Sequence, residues 1–376
     1  MTSYIERLHF YGWNQINKFI QDLNTNYLII DYVDNYFINH NVTMIEDEWI
    51  GIIHHTKSNF SDNNIINLFK NIIFLNSLKN CKGLITLSLY NYNTIINELN
   101  NIYLSVSVYI LYHPIPPNVN NLFNISRFEQ NLNIINIGGW LRNPYTIFEA
   151  NIYYNYLPLN KVKLKGYIME QYFPTKDINY ENIINNIIKN ENSSIDQLIH
   201  YSYPDVTIKY SHPNNSINYF VKFLIDYINR IKTNLNKAQL LEKILENHNS
   251  VQIYEYLDND QYLSLLNSSI IFCDYIDCSA SNTILECIAT ATPIVLNKLP
   301  AIVEYLGEDY PLYFENIYNK DDNSYYLNSN NVRAAHFYLL NIRYSNKLTL
   351  DNFINKIQYL LSNKEKKKKK KSSLLL

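Results

Sequence analysis

Two successive α/β units with mostly parallel sheets are what the sequence predicts, and three observations carry that expectation. Short apolar runs recur without the alternation of a half-exposed strand, as in Tyr-Leu-Ile-Ile-Asp-Tyr at 27–32 and Trp-Ile-Gly-Ile-Ile-His at 49–54. Strands covered on both faces read this way. Segments of helical length stand between them, the order expected where crossover helices join parallel strands. The alternation lapses in a Pro- and Asn-rich stretch at 114–130 and then resumes, which divides the chain in two.

In order, residues 4–23 form an amphipathic helix carrying Trp13, followed by strands at 27–32 and 49–54. A helix at 65–78, a strand at 83–87, a helix at 92–99 and a strand at 106–111 complete the first unit, which ends at His113-Pro114. The second unit starts with a strand at 132–137 that runs into Gly138-Gly139. A helix at 148–156 and a strand at 162–167 follow. Residues 165–212 read as an insertion with its own helix near 180–189, and 215–248 as a long helical region. A strand at 251–254 and a helix at 260–267 lead to the densest stretch, 270–307. There a buried strand (270–275), a small polar turn, a short buried helix (284–291) and another strand from 294 follow one another within 38 residues. Helices at 332–343 and 350–361 close the fold. The expected divisions are 1–125 for the first domain, 126–345 for the second and 346–363 for a C-terminal helix that can cross back to the first domain. Residues 364–376 make a disordered lysine-rich tail.

At 376 residues the chain suits two domains of ordinary size, and 47% hydrophobic content supplies their cores. The net charge is −2, and without the six lysines 366–371 it is −8. Such a mildly acidic body argues against nucleic-acid binding. The basic tail can touch acidic membranes, although a solvated tail without a role is the plainer reading. Heavy use of Tyr, Asn and Ile follows AT-rich codons and says little about chemistry. The four cysteines, Cys81, Cys273, Cys278 and Cys287, lack CxxC spacing, which argues against a disulfide framework or a zinc site. No apolar leader or run of about 18 apolar residues is present, so a cytoplasmic protein is expected.

The turn Ser279-Ala280-Ser281-Asn282-Thr283 follows a buried strand and opens a helix. Free N–H groups and the helix dipole at such a start suit a phosphate, and ligands of open α/β sheets bind beyond the carboxyl ends of the strands. The same residues carry a resemblance. Asn282-Thr283-Ile284-Leu285-Glu286-Cys287-Ile288, Ala291-Thr292-Pro293-Ile294-Val295 and Pro300-Ala301-Ile302-Val303-Glu304-Tyr305-Leu306-Gly307 look like the donor segment of GT-B glycosyltransferases. The likeness is to the group 1, family 4-like nucleotide-sugar-dependent enzymes. It implies two Rossmann-like domains facing across a cleft, the first for a glycan or other hydroxyl acceptor and the second for a nucleotide-diphospho-sugar. It implies a hexosyltransferase with that co-substrate, no other cofactor and no metal. One position departs: the family's earlier Glu, eight residues before the helix Glu, is Cys278 here.

Within this resemblance Glu286 binds the donor ribose. Its plain alternative is a capping box, Thr283 to Glu286, that only closes a helix. Ser281, Asn282 and Thr283 are placed to hold the pyrophosphate, and Gly138, Gly139 and Arg142 to meet it from the first strand of the second unit. The glycines allow close backbone approach and the guanidinium fork suits phosphate; a surface charge is the alternative for Arg142. Glu304 is a candidate sugar contact. In the first unit His54 and His55 end a buried strand and are candidates for a base or a substrate hydrogen bond, with Asp34 as a further base candidate or a turn cap. Asp258-Asn259-Asp260 matches a metal-binding DxD pattern, but a helix cap explains it. Two rivals to a transferase are a nucleotide-sugar epimerase of the same architecture and a non-catalytic binding or structural protein.

Overall fold

The computed structural model describes the chain except for residues 1–11, 24, 39–41, 59–63, 139–140, 143–145, 165–250, 255–256, 316–323 and 374–376. The helices expected at 180–189 and 215–248, and Gly139, lie outside the described residues. The α/β class and the parallel sheets are as the sequence predicts.

The first unit places β1 (Leu28–Ile30), β2 (Trp49–Ile53), β3 (Cys81–Thr86) and β4 (Val108–Ile110) in one parallel sheet in chain order. Its helices are α1 (Trp13–Gln21), α2 (Val33–Ile38), α3 (Ile65–Leu68), α4 (Ile72–Ser77) and α5 (Leu89–Asn101). The single helix expected at 65–78 is two, because Asn71 intervenes as an N-cap. Its Oδ1 accepts from the Ile73 and Phe74 amides at 2.9 and 3.2 Å, while its Nδ2 donates to the Phe37 carbonyl. Every residue of β2 is buried, which accounts for its unbroken apolar pattern.

The second unit opens with α6 (Ile125–Asn131), β5 (Asn133–Ile137), α7 (Thr146–Glu149), β6 (Asn151–Tyr154), β7 (Leu157–Pro158), β8 (Asn160–Leu164) and β9 (Gln252–Tyr254). It continues with α8 (Asn259–Asn267), β10 (Ser269–Cys273), α9 (Asn282–Thr290), β11 (Ile294–Asn297) and α10 (Pro300–Leu306). Last come β12 (Tyr313–Phe314), β13 (Ser324–Leu327), α11 (Ser329–Ile342) and α12 (Leu350–Ser373). The helix expected over 148–156 is only four residues long and gives way to β6. That strand pairs in parallel with β13 across the chain, and Tyr153 stacks on Tyr326 at 5.3 Å. Aromatic and β-branched residues favour such pairing over a helix.

Six strands form the larger sheet in the order β12-β11-β10-β5-β8-β9, all parallel. From β5 the chain first builds outward to β8 and β9, then returns to lay β10, β11 and β12 on the other side. The order therefore reverses between β5 and β10, and the carboxyl ends of those two strands flank the crevice where open α/β sheets bind ligands.

α12 packs on the first sheet rather than the second. Phe353, Ile357 and Leu361, spaced by four, share a core with Ile50, Ile52, Ile85 and Leu87, the single stripe expected of an amphipathic helix. The helix also runs on through the lysines assigned above to a disordered tail, consistent with the good helix propensity of lysine. Among the described residues no helix is long and apolar enough to cross a membrane.

Candidate functional site

The crevice at the β5–β10 reversal is built from two loops. After β5, Gly138 takes a left-handed backbone (φ +75°), and a Cβ there would lie 2.2 Å from Arg142 Nη1. Glycine is therefore required, both for the torsion and to admit the guanidinium. Arg142 turns back over the strand end and donates from Nη1 to the Ile137 carbonyl and from Nη2 to Ser281 Oγ at 3.0 Å. Its carbon Cζ sits 4.9 Å from the centre of the Tyr275 ring, and a bridge between Arg142 and Tyr275 ties the two loops together. The alternative of a surface charge does not hold, since Arg142 is only 8% exposed.

Nothing described neutralises that charge. Among the described residues no carboxylate lies within ion-pairing distance of Arg142, and its Nε has no partner. An arginine does not shed its proton in a protein. A buried charge without a counterion is costly, so the site is electrostatically incomplete.

The second loop ends at α9. Ser281 is its N-cap residue, yet Ser281 makes no capping bond, because its hydroxyl is engaged by Arg142 and by Tyr275 Oη at 2.7 Å. The first-turn amides of α9 thus lack a side-chain cap, and the fully buried Thr283 Oγ1 beside them has no partner. A guanidinium, a helix amino terminus and a hydroxyl therefore converge, an arrangement suited to a phosphate.

Glu286 lies one turn further along α9, fully buried. Helix α9 starts at Asn282 with Ser281 as its N-cap, so Thr283 lies inside the helix and the capping box offered as the alternative for Thr283 to Glu286 does not form. Instead Glu286 Oε2 accepts from Tyr262 Oη on α8 at 2.7 Å. Burial and the adjacent carboxylate push the Tyr262 hydroxyl well above its ordinary pKa, so it remains a donor.

Sequence reasoning missed Lys163. It lies on β8 with no exposure, and its Nζ donates to Asn136 Oδ1 and to the Gly138 carbonyl, the latter at 3.0 Å. Burial, and after it the nearby Arg142 charge, lower its pKa to about 7. In Asn-Lys-Val-Lys-Leu the alternation reads as solvent-facing lysines. The signal against that reading is the sheet order, which places β8 inside the sheet between β5 and β9.

The histidines sit at the strand ends of the first unit. His54 Nε2 donates to the Asp31 carbonyl at 2.8 Å, and its ring lies 4.3 Å from both Trp13 and Tyr32. Burial lowers its pKa to about 4, so the ring is neutral near pH 7. His55 Nε2 bonds Tyr32 Oη at 2.7 Å. Asp34 is completely buried on α2; its Oδ2 accepts the His54 amide at 2.7 Å and burial raises its pKa. That geometry makes Asp34 a support for the His54 main chain.

These groups adjoin the crevice. A Cβ on Gly12 would lie 3.3 Å from Asn282 Nδ2 at the start of α9, and the next residue, Trp13, contacts His54 and His113. Asn91 Nδ2 donates to the His55 carbonyl and to Ser279 Oγ at 2.7 and 2.9 Å. Asp277, also missed, accepts from Tyr90 Oη at 3.3 Å and holds the Cys278 amide. Cys278 is a buried thiol pushed up to about 12. It supplies no charge where the resemblance expects a carboxylate.

Glu304 joins the two units. Its carboxylate accepts from the Leu89 and Tyr90 amides at 2.6 and 2.8 Å, closing the amino terminus of α5 from the other unit. Tyr305 Oη donates to the Leu87 carbonyl and accepts from the His113 amide. Asp258 caps α8 through a complete capping box with Gln261, so the DxD pattern is accounted for by a helix start.

No family model and no curated protein matches the sequence. Among solved structures the chain is similar to the N-terminal domain of the Candida albicans trehalose-6-phosphate phosphatase, at 14% identity and TM-score 0.43, covering 93% of this chain and 76% of that one. It is also similar to a trehalose-6-phosphate synthase, OtsA, at 12% identity and TM-score 0.43, with 94% and 75% covered. A UDP-forming α,α-trehalose-phosphate synthase from Burkholderia vietnamiensis gives 8% identity and TM-score 0.41, with 85% and 68% covered. Identities and scores are low throughout, and the chemistry below rests on the residues of this chain.

Proposed function

We propose that the protein is a glycosyltransferase that takes a sugar from a nucleotide-diphospho-sugar. The observation that carries this is the buried, unneutralised Arg142 aimed at the uncapped start of α9. Both groups call for an anion, and the crevice lies at the sheet's order reversal, where nucleotides bind in doubly wound folds.

The pyrophosphate would lie between Arg142 and the α9 amides, with Thr283 Oγ1 as an added donor. The ribose hydroxyls would be accepted by Glu286, since a carboxylate has about four acceptor positions and Tyr262 uses one. As the bond from the anomeric carbon to the phosphate oxygen breaks, negative charge develops on the leaving diphosphate. Arg142 and the helix start stabilise it without reorganisation, which removes the need for a metal. The new bond forms from the acceptor hydroxyl oxygen to the same carbon. Its proton passes to the neutral ring of His54, to His55, or to the departing phosphate oxygen. Asp34 holds the strand end that carries both histidines. Glu304 keeps the first unit against the second, which excludes water that would hydrolyse the donor.

A thermal-shift panel of nucleotides and nucleotide sugars, followed by donor consumption with and without sugar acceptors, tests this reading. Stabilisation by one nucleotide-diphospho-sugar and acceptor-dependent release of its nucleoside diphosphate are expected. Turnover of donor alone would point to an epimerase. Stabilisation by no nucleotide diphosphate would overturn the reading.

A further inference from the structure

The anion site contains a second buried basic group that the transfer reaction above does not use. Lys163 Nζ and Arg142 Nη1 are both held by the last residues of β5 and the loop behind it: Lys163 by Asn136 Oδ1 and the Gly138 carbonyl, Arg142 by the Ile137 carbonyl. Two basic side chains are therefore held by three consecutive residues, through the Asn136 side chain and the Ile137 and Gly138 carbonyls. Lys163 has no exposure and only two bonds for the three protons of an ammonium. The other described titratable group acting on it is the Cys273 thiol on β10. Burial keeps the Cys273 thiol protonated and neutral. No described carboxylate balances the pair.

Two adjacent buried cations repel strongly in a medium of low dielectric. Arginine keeps its proton under these conditions and lysine gives it up readily. The ligand-free site resolves the conflict by leaving Lys163 largely neutral above pH 7. Burial is the larger cause of that neutrality and the Arg142 charge the lesser; a bound polyanion offsets the Arg142 repulsion and adds an attraction that favours the charged lysine against its burial.

We propose that Lys163 takes up a proton when a nucleotide-diphospho-sugar binds, so that it serves as a second, switchable cation of the diphosphate site. The inference rests on the anion-binding reading of the crevice. It makes donor affinity pH-dependent although the donor's own diphosphate, esterified at both ends, does not titrate near neutrality. The two charges of that diphosphate then meet two cations. After transfer, the released nucleoside diphosphate leaves Lys163 to return its proton.

The test is calorimetric titration of the full chain with UDP-, GDP-, ADP- and TDP-glucose in two phosphate-free buffers of different ionisation enthalpy. With the ligand-free lysine titrating at about 7, binding at about pH 8 should take up about 0.9 proton. Affinity should fall by about tenfold per pH unit above 7, up to the raised pKa of the complex. Lys163→Met should bind with no proton uptake and a flat pH profile. Lys163→Arg, permanently charged, should likewise bind without uptake, and it keeps the test decisive if the methionine variant fails to fold. Wild-type binding without proton uptake would overturn this inference and leave the anion site standing. So would uptake that persists in either variant. Binding of none of the four sugars would overturn both.

Discussion

Replacing Arg142 by methionine should separate what the folded chain needs from what its ligand needs. Without ligand the guanidinium makes two charge-assisted bonds, to Ile137 and Ser281, and one ring contact with Tyr275. Such bonds contribute about 1.5–3 kcal/mol each, and a desolvated ring contact adds about 2 kcal/mol. Against this stands the cost of burying an unpaired charge, several kcal/mol in relaxed proteins. These terms nearly cancel, so Arg142→Met should leave the stability of the free protein within about 2 kcal/mol of wild type. The ligand-bound state behaves differently. Loss of two charge-assisted contacts to a diphosphate should weaken binding by at least about a hundredfold. At a donor concentration of about 1,000 Kd the wild type gains about 4 kcal/mol of stability. The variant, at the same concentration, would gain about 1.4 kcal/mol. Denaturant unfolding with and without donor reads both quantities. A variant strongly destabilised without ligand, yet stabilised by donor as much as wild type, would show that Arg142 is structural and refute the reasoning.

Three further outcomes follow from the same geometry. Gly138→Ala forces a side chain into a left-handed backbone and against Arg142; stability should drop by about 1–2 kcal/mol, and donor affinity should drop as in Arg142→Met, measured by the same titration. Glu304→Gln weakens the two bonds that close α5 from the other unit; hydrogen exchange at the Leu89 and Tyr90 amides should quicken, with a stability loss of about 1 kcal/mol. His113 is almost fully buried, and burial lowers its pKa to about 4 from an unfolded value of 6.5. The unfolded chain then binds more protons between those values, so stability is lost as pH falls from 6.5 through about 4. The loss is at most about 3 kcal/mol for this group, and His113→Gln should flatten that part of the profile.

Much of the fold was legible in the sequence because parallel strands buried on both faces carry their own signature. The strands at 49–53, 81–86, 133–137 and 269–273 stand where the apolar runs place them, within a few residues. β6 was not legible, because its partner β13 lies about 170 residues away and the strand preference of its aromatic residues decides nothing until that partner is in place. The break at Asn71 was legible in principle as an N-cap, but the apolar periodicity on either side hides it.

The site divides in the same way. The turn 279–283, Glu286, Gly138 and Arg142 announce themselves by position relative to strand ends, and the structure brings Arg142, Ser281 and the start of α9 together. Lys163 and the link from Glu304 to α5 carry no local signal. The first depends on β8 lying within the sheet, the second on a contact between residues more than 200 apart in the chain. Asp34, a base candidate by sequence, is a buried support of the strand end instead. Only packing distinguishes these roles.

The most direct test of the central claim is a crystal structure with a bound nucleotide-diphospho-sugar. The account predicts the diphosphate between Arg142 and the first-turn amides of α9, with the ribose toward Glu286. A donor seated elsewhere on the molecule, with Arg142 still bonded only to Ile137 and Ser281, would contradict it.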